Sequence, residues 1–283
     1  MFPLYIQILL SKLQYPESPC WSAQDNCLYF VEWAGDRLCA LQDGRKSLVY
    51  NAAPGSGPCA LVQEPDGNLW VCLYSGLQVI HITRQGGLLE RIDGFQGQAF
   101  KGPNDLVLDG RGGFYFTDSG DYGDDWVSGR AVGAVYYHAP SGELMQVVDE
   151  LCFPNGIALD PGRRNLFVNE HRQNRTWRYN IQPDGSLGEG MIFANLDDDC
   201  LLEPEFCYEL GPDGMGFDQQ GRLWIAHYGG GKLIALDQKG KKEQIVNLPH
   251  GRKPTNLDFR YPDGAMFVSE AELGILYQLN FSN

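Results

Sequence analysis

Six prolines in this chain each precede a residue that could share one place around an axis. The pairs are Pro16-Glu17, Pro58-Cys59, Pro103-Asn104, Pro154-Asn155, Pro212-Asp213 and Pro254-Thr255. Apolar residues follow in each, mostly at two and four positions beyond the proline, which is strand periodicity. If the six units are equivalent by repetition, their side chains converge. Two carboxylates brought together repel, and removing each from water carries its own penalty. A divalent cation relieves both. An all-oxygen donor set with two negative charges suits a hard ion, Ca²⁺ first, then Mg²⁺ or Mn²⁺, with Zn²⁺ and Fe²⁺ also admissible. The bland alternative is a water-filled channel that these polar residues merely line.

The elements that would position these residues repeat with them. Ten or eleven residues after each such position a second strand begins, following a turn rich in Asp and Gly. The joints read SAQDNCLYFVE, EPDGNLWVCL, DGRGGFYFTDS, DPGRRNLFVNE, DQQGRLWIAHY and YPDGAMFVSE. Their spacing of 41 to 57 residues is that of four-stranded propeller blades. A third strand follows in most units, as in DRLCAL, GAVYYHA and GKLIALD, and no segment carries a helical stripe. The expected fold is all-β, one six-bladed β-propeller with a central channel, spanning residues 1–283 as a single domain. A sandwich or barrel of regular hairpins accounts less well for six matched units. The first strand candidate, LYIQILL, has no partner of its own. It is expected to become the outer strand of the last blade, which closes the ring and covers a sheet edge.

Composition narrows the partners. With 36 acidic and 22 basic residues the formal net charge is −14, which disfavours nucleic acid and anionic membranes. No stretch approaches the ~20 apolar residues of a membrane span. The opening MFPLYIQILLSKLQ has no basic residue before its apolar run and no small-residue cleavage site, so a cytoplasmic location is expected. Eight cysteines without a CxxC pair read as free buried thiols and give no zinc spacing. Cys200 and Cys207, which flank one loop, are the best placed pair for a disulfide. No Gly-x-Ser-x-Gly elbow and no Ser/His/Asp set is evident. His171 and His227 follow second strands, either near the channel mouth or as satisfied structural histidines. The acidic loop FTDSGDYGDD after Asp118 is expected to be solvated, with a second Ca²⁺ site as the alternative. The long connection NLDDDCLLEPEFCYELGPDG is expected to rim the mouth.

At these residues the chain resembles the SMP-30/gluconolactonase-like family. The matching stretches are PESPCWSAQDNCLYFVE, GPNDLVLDGRGGFYFTD, FPNGIALDPGRRNLFVNE and GPDGMGFDQQGRLWIAHYGGG, which run through most of the chain. GGFYFTD and AHYGGGKL also look like the staphylococcal lactonases of that family. The resemblance implies a metal at the top of the channel, held by Glu17, Asn155 and Asp213, with Asn104 facing substrate or metal. It implies a metal-dependent hydrolase of a lactone or related ester, in which metal-activated water attacks the carbonyl. Asp213 would orient or deprotonate that water, and Asn104 would hydrogen-bond the substrate. In animal members an Arg just before the Asn104 position contacts the sugar; here Lys101 stands nearby as the candidate substrate contact. Two other readings stay open: a non-catalytic binding propeller stabilised by its metal, and another reaction on the same frame, such as organophosphate hydrolysis or a specialised biosynthetic step.

Overall fold

Short apolar runs between Asp- and Gly-rich turns can bury both faces only by stacking sheet against sheet. A computed structural model describes residues 4–196 and 208–281 and shows that arrangement. Six antiparallel four-stranded sheets follow one another in chain order. Their innermost strands are Pro16–Ser22, Pro58–Gln63, Pro103–Leu108, Pro154–Leu159, Gly211–Phe217 and Pro254–Arg260. Each innermost strand packs against that of the next blade, and the sixth packs against the first. The result is the expected six-bladed propeller.

The second strands carry the core. Cys27–Glu32, Phe114–Asp118, Leu223–Tyr228 and Ala265–Glu270 are buried along their whole length, because both of their faces meet neighbouring blades. Phe30, Phe116 and Trp224 are among the largest side chains fully withdrawn from water. The outermost strands, such as Leu88–Ile92 and Lys242–Asn247, face solvent for most of their length. The exception in origin is the sixth blade, whose outer strand is the N-terminal Leu4–Leu10, paired from Leu4↔Phe281 to Leu10↔Leu276. The ends of the chain thus close the ring as expected.

Two repeated devices fix the starts of the inner strands, the first in four blades and the second in all six. First, a buried acid at the end of a second strand accepts backbone N–H groups from the segment leading into the inner strand. Glu32 takes Gln14 at 2.9 Å, Asp118 takes Lys101 at 2.9 Å, Glu170 takes Cys152 at 2.8 Å and Glu270 takes Lys253 at 3.1 Å. Second, every inner strand carries one irregularity in its pairing within a few residues of its proline. In each case one extra residue sits on the inner strand. Such bulges bend a strand and re-aim its side chains, and here all six fall at the same end of the channel.

The acidic loop after Asp118 is exposed to solvent at residues 121–124, as expected, but also holds a short helix. Its residues Asp124–Ser128 form a short helix, and Asp121 accepts the backbone N–H groups of Gly123 and Asp124, both at 2.8 Å. Asp125 receives the Arg130 guanidinium at 2.8 Å through Nε. These carboxylates are committed to the loop itself, and the helix carries the buried Trp126 inward. All six cysteines among the described residues are free. Cys200 and Cys207, with most of the long connection before Asp213, lie outside the described residues.

Removing residues 1–10 should open the edge of Ile275–Phe281 and lose the core contacts of the half-buried Leu4, Ile6, Leu9 and Leu10. At about 1 kcal/mol each the loss is roughly 4 kcal/mol, or ~10 °C in melting temperature. Thermal melts and size-exclusion chromatography should show a less stable protein that self-associates with concentration. A melt like that of the full chain would mean that the closing strand is dispensable.

Candidate functional site

The channel opens into a pocket enclosing about 510 Å³ of empty space, its mouth included. Glu17, Cys59, Asn104, Asn155 and Asp213 all line it, so five of the six residues grouped by sequence position meet in one cavity. The sixth, Thr255, is fully buried beside it. Its hydroxyl hydrogen-bonds the Ser269 hydroxyl at 2.7 Å and donates to the Pro16 carbonyl at 3.0 Å.

Each of these positions is held from the preceding blade. Thr117 donates its hydroxyl to the Asn155 carbonyl at 2.8 Å, and the Asn169 amide donates to the Asp213 carbonyl at 2.6 Å. Thr176 in turn donates to Asn169 Oδ1 at 2.7 Å, which sets the direction of that amide. The Cys59 thiol lies 3.2 Å from the Pro103 carbonyl and 3.1 Å from that of Asn104. Glycines let the strands come this close. A Cβ on Gly156 would stand 2.2 Å from the Asp213 carbonyl oxygen, and one on Gly214 would stand 2.1 Å from the Asn256 side chain. The Asn-Gly and Asp-Gly pairs here are therefore points of strand contact, not turns.

Sequence position did not reveal Asp105, the residue after Asn104. It is buried beneath the pocket, where Leu106 N–H donates to its Oδ1 at 2.9 Å and Ile157 N–H to its Oδ2 at 3.3 Å. Burial pushes its carboxyl up to about 7 despite those donors. Asp213 lies well above the ordinary aspartate range because of burial and then the charge of Asp105, although Asn155 and the Gly214 N–H hydrogen-bond it. Glu17 is raised in the same way by burial and by Asp213, with a partial offset from the Thr255 hydroxyl. Three acids thus crowd one end of the channel. No local pattern marks Asp105: the bulge between Pro103 and Leu106 that turns it inward shows only once the strands are paired.

The chemistry of this donor set fits a hard divalent cation: two carboxylates, two side-chain amides and an excess of buried negative charge. Among the described residues no three His, Cys, Asp or Glu side chains form a ready cluster. A cation here would thus draw on the amide oxygen of Asn155 as well as on Glu17 and Asp213, with Asn104 beside them in the same wall. The remaining wall is aromatic: Tyr15, Trp33, Tyr74, Tyr122, Trp126, Phe153 and Tyr228.

Other candidates lie elsewhere. Lys101 is exposed, donates its ammonium to the Val132 carbonyl at 3.1 Å, and is not part of the pocket wall. His171 is buried behind the wall, 3.2 Å from the Pro212 carbonyl through Nδ1 and against Trp126 at 4.2 Å between ring centroids. Burial pushes its imidazole down to about 3, so it stays neutral. His227 is also buried, with Nε2 3.0 Å from Asn174 Oδ1. Both histidines brace the blades and do not reach the cavity.

Comparison with known proteins agrees with this fold. The sequence model of the SMP-30/Gluconolactonase/LRE-like region matches residues 15–272. A gluconolactonase of Zymomonas mobilis is 27% identical over 93% of this chain and 78% of its own length. The lactonase drp35 of Staphylococcus saprophyticus is 27% identical over 82% of this chain and 69% of its own. Among solved structures, the calcium-binding protein regucalcin of Agrobacterium tumefaciens superposes with a TM-score of 0.81 at 18% identity, covering 99% of this chain and 95% of that one.

Three acids with raised pKa bind more protons in the folded chain than in the unfolded one. A raised acid lowers stability as pH climbs from its unfolded value, near 4, through its folded value. For Asp105 that window ends at about 7, and for Glu17 and Asp213 it extends in the same direction. Melts in chelator should therefore fall in temperature between pH 5 and pH 8. Asp213→Asn should make the fall shallower. A flat or rising profile would argue against a cluster of buried acids.

Proposed function

This chain belongs to the SMP-30/gluconolactonase/LRE-like family, and from that premise we propose that it is a metal-dependent hydrolase of a lactone or related ester. The observation that carries the reading is the convergence of Glu17, Asp213, Asn104 and Asn155 on one pocket. The family match and the lactonase relatives support it. So does the burial of like charges with no basic side chain in the described wall to neutralise them.

Glu17, Asn155 and Asp213 would hold the cation, with Ca²⁺ favoured by the oxygen donors. When bound, a divalent ion supplies Lewis acidity to a carbonyl and lowers the pKa of water. The protein's own groups do the rest. Asp213 orients the attacking water and accepts its proton. Asn104 donates a side-chain N–H to the carbonyl oxygen of the substrate, where negative charge develops. The Asn169 and Thr117 braces keep Asp213 and Asn155 in place, so little reorganisation is needed. Cytoplasmic residence is part of the same proposal, supported by the free thiols among the described residues.

The decisive experiment is metal analysis of the purified protein followed by a lactone panel with and without chelator. Wild type should lose activity in chelator and recover it with added Ca²⁺. Asp213→Ala should lose metal and lower kcat/KM by about 10³-fold or more, with its fold checked by circular dichroism. Wild-type turnover by that variant at saturating metal would sink the assignment. Asn104→Ala should retain metal and lose mainly kcat, by ~10²-fold.

A further inference from the structure

Of the register positions that line the pocket, Cys59 alone has no side-chain oxygen to offer a cation. Its buried thiol meets backbone oxygens of the next blade instead. Sγ lies 3.2 Å from the Pro103 carbonyl and 3.1 Å from the Asn104 carbonyl, with the Cys72 carbonyl of its own blade further off at 3.6 Å. The first two oxygens stand on either side of one Cα, that of Asn104. Successive carbonyls of a regular strand point to opposite edges, so a single atom does not meet both. The bulge between Pro103 and Leu106 brings them within reach of the same sulfur.

Both peptide planes that meet at the Asn104 Cα are thereby tied to Cys59. Fixing those planes fixes the direction of the Cα–Cβ bond, and with it where the Asn104 amide can reach. One residue on, the Asp105 N–H donates to the Thr117 hydroxyl at 3.0 Å, which holds the other end of the bulge. Burial pushes the Cys59 thiol well above its ordinary range, so it keeps the proton it donates. Thr255, at the same register place in the sixth blade, does matching work. Its hydroxyl donates to the Pro16 carbonyl, the one just before Glu17.

We propose that Cys59 is the positioning residue for Asn104, its thiol aiming the amide that meets the substrate carbonyl. This rests on the hydrolase reading above and adds to it a residue that acts through another. A thiol is a weak donor, so little of the fold's stability depends on it. A misplaced amide, by contrast, misses the oxygen on which charge develops, and that loss falls on kcat.

Four variants assayed on δ-valerolactone read this out: Cys59→Ala, Cys59→Ser, Asn104→Ala and the Cys59→Ala/Asn104→Ala double change. Cys59→Ala should lower kcat about 10-fold with KM little changed. Cys59→Ser, which keeps a donor in place, should return kcat to within about 3-fold of wild type. The double variant should fall no further than Asn104→Ala alone, since the thiol acts only through that amide. The rise in melting temperature on adding Ca²⁺ should be the same in Cys59→Ala as in wild type, which separates a lost aim from a lost metal site. Wild-type kcat in Cys59→Ala, a full further loss in the Asn104→Ala background, or a serine variant as slow as the alanine one would each overturn the proposal. Should alanine unfold the chain, Cys59→Thr and Cys59→Val, alike in shape, make the same comparison, and equal rates would overturn it. If wild type turns over no lactone, the hydrolase reading fails by itself, and NMR still decides the positioning. The Asn104 side-chain amide signals, assigned by their loss in Asn104→Ala, should be sharp in wild type and Cys59→Ser and broadened or doubled in Cys59→Ala. Identical signals in all three would overturn the role of the thiol.

Discussion

The pairing of Leu4–Leu10 with Ile275–Phe281 is the constraint on which the rest depends. Six twisted sheets around an axis leave no free face only when the last meets the first. Here the N-terminal strand supplies the outer edge of a sheet whose other three strands come from the far end of the chain. That closure packs the sixth inner strand against the first and sets Thr255 on the Pro16 carbonyl. Glu17 is thereby brought into the same pocket as Asp213.

Within the closed ring, precision comes from side chains that reach across blades. Thr117, Asn169 and Thr255 each bind a carbonyl at the start of the next inner strand. Glu32, Asp118, Glu170 and Glu270 bind the N–H groups just before it. Buried polar groups are tolerated because they are paired in this way, and paired groups define one geometry where an apolar core would allow several. The acids of the channel are the exception. Glu17, Asp105 and Asp213 are pushed toward protonation by burial and by one another, a cost to stability that points to a functional site.

The pocket thus joins two unlike surfaces. Its inner part carries acids and amides on bulged strand ends, and its wall is aromatic. The first surface holds the groups that could do chemistry, and the second encloses them. Both arise from the same residues that make the blades pack, since Trp126 and Phe153 also belong to the core between blades.

The sequence by itself determined the number of blades, the order of their first three strands and the group of residues that meets at the channel mouth. It could do so because each blade repeats an apolar pattern and each inner strand has a proline at its first or second residue. The other outer strands were illegible, since Leu88–Ile92 and its counterparts face solvent and carry little alternation. The helix that bears Trp126 was hidden in an acidic loop too short for a helical stripe. Lys101 was legible only as a neighbour in sequence; its side chain turns to the Val132 carbonyl. Only the tertiary structure decided that Asp105 joins Glu17 and Asp213, and that aromatic residues from several blades line one pocket. Both depend on bulges and on contacts between blades, and such contacts link residues far apart in the chain, where no local pattern records them.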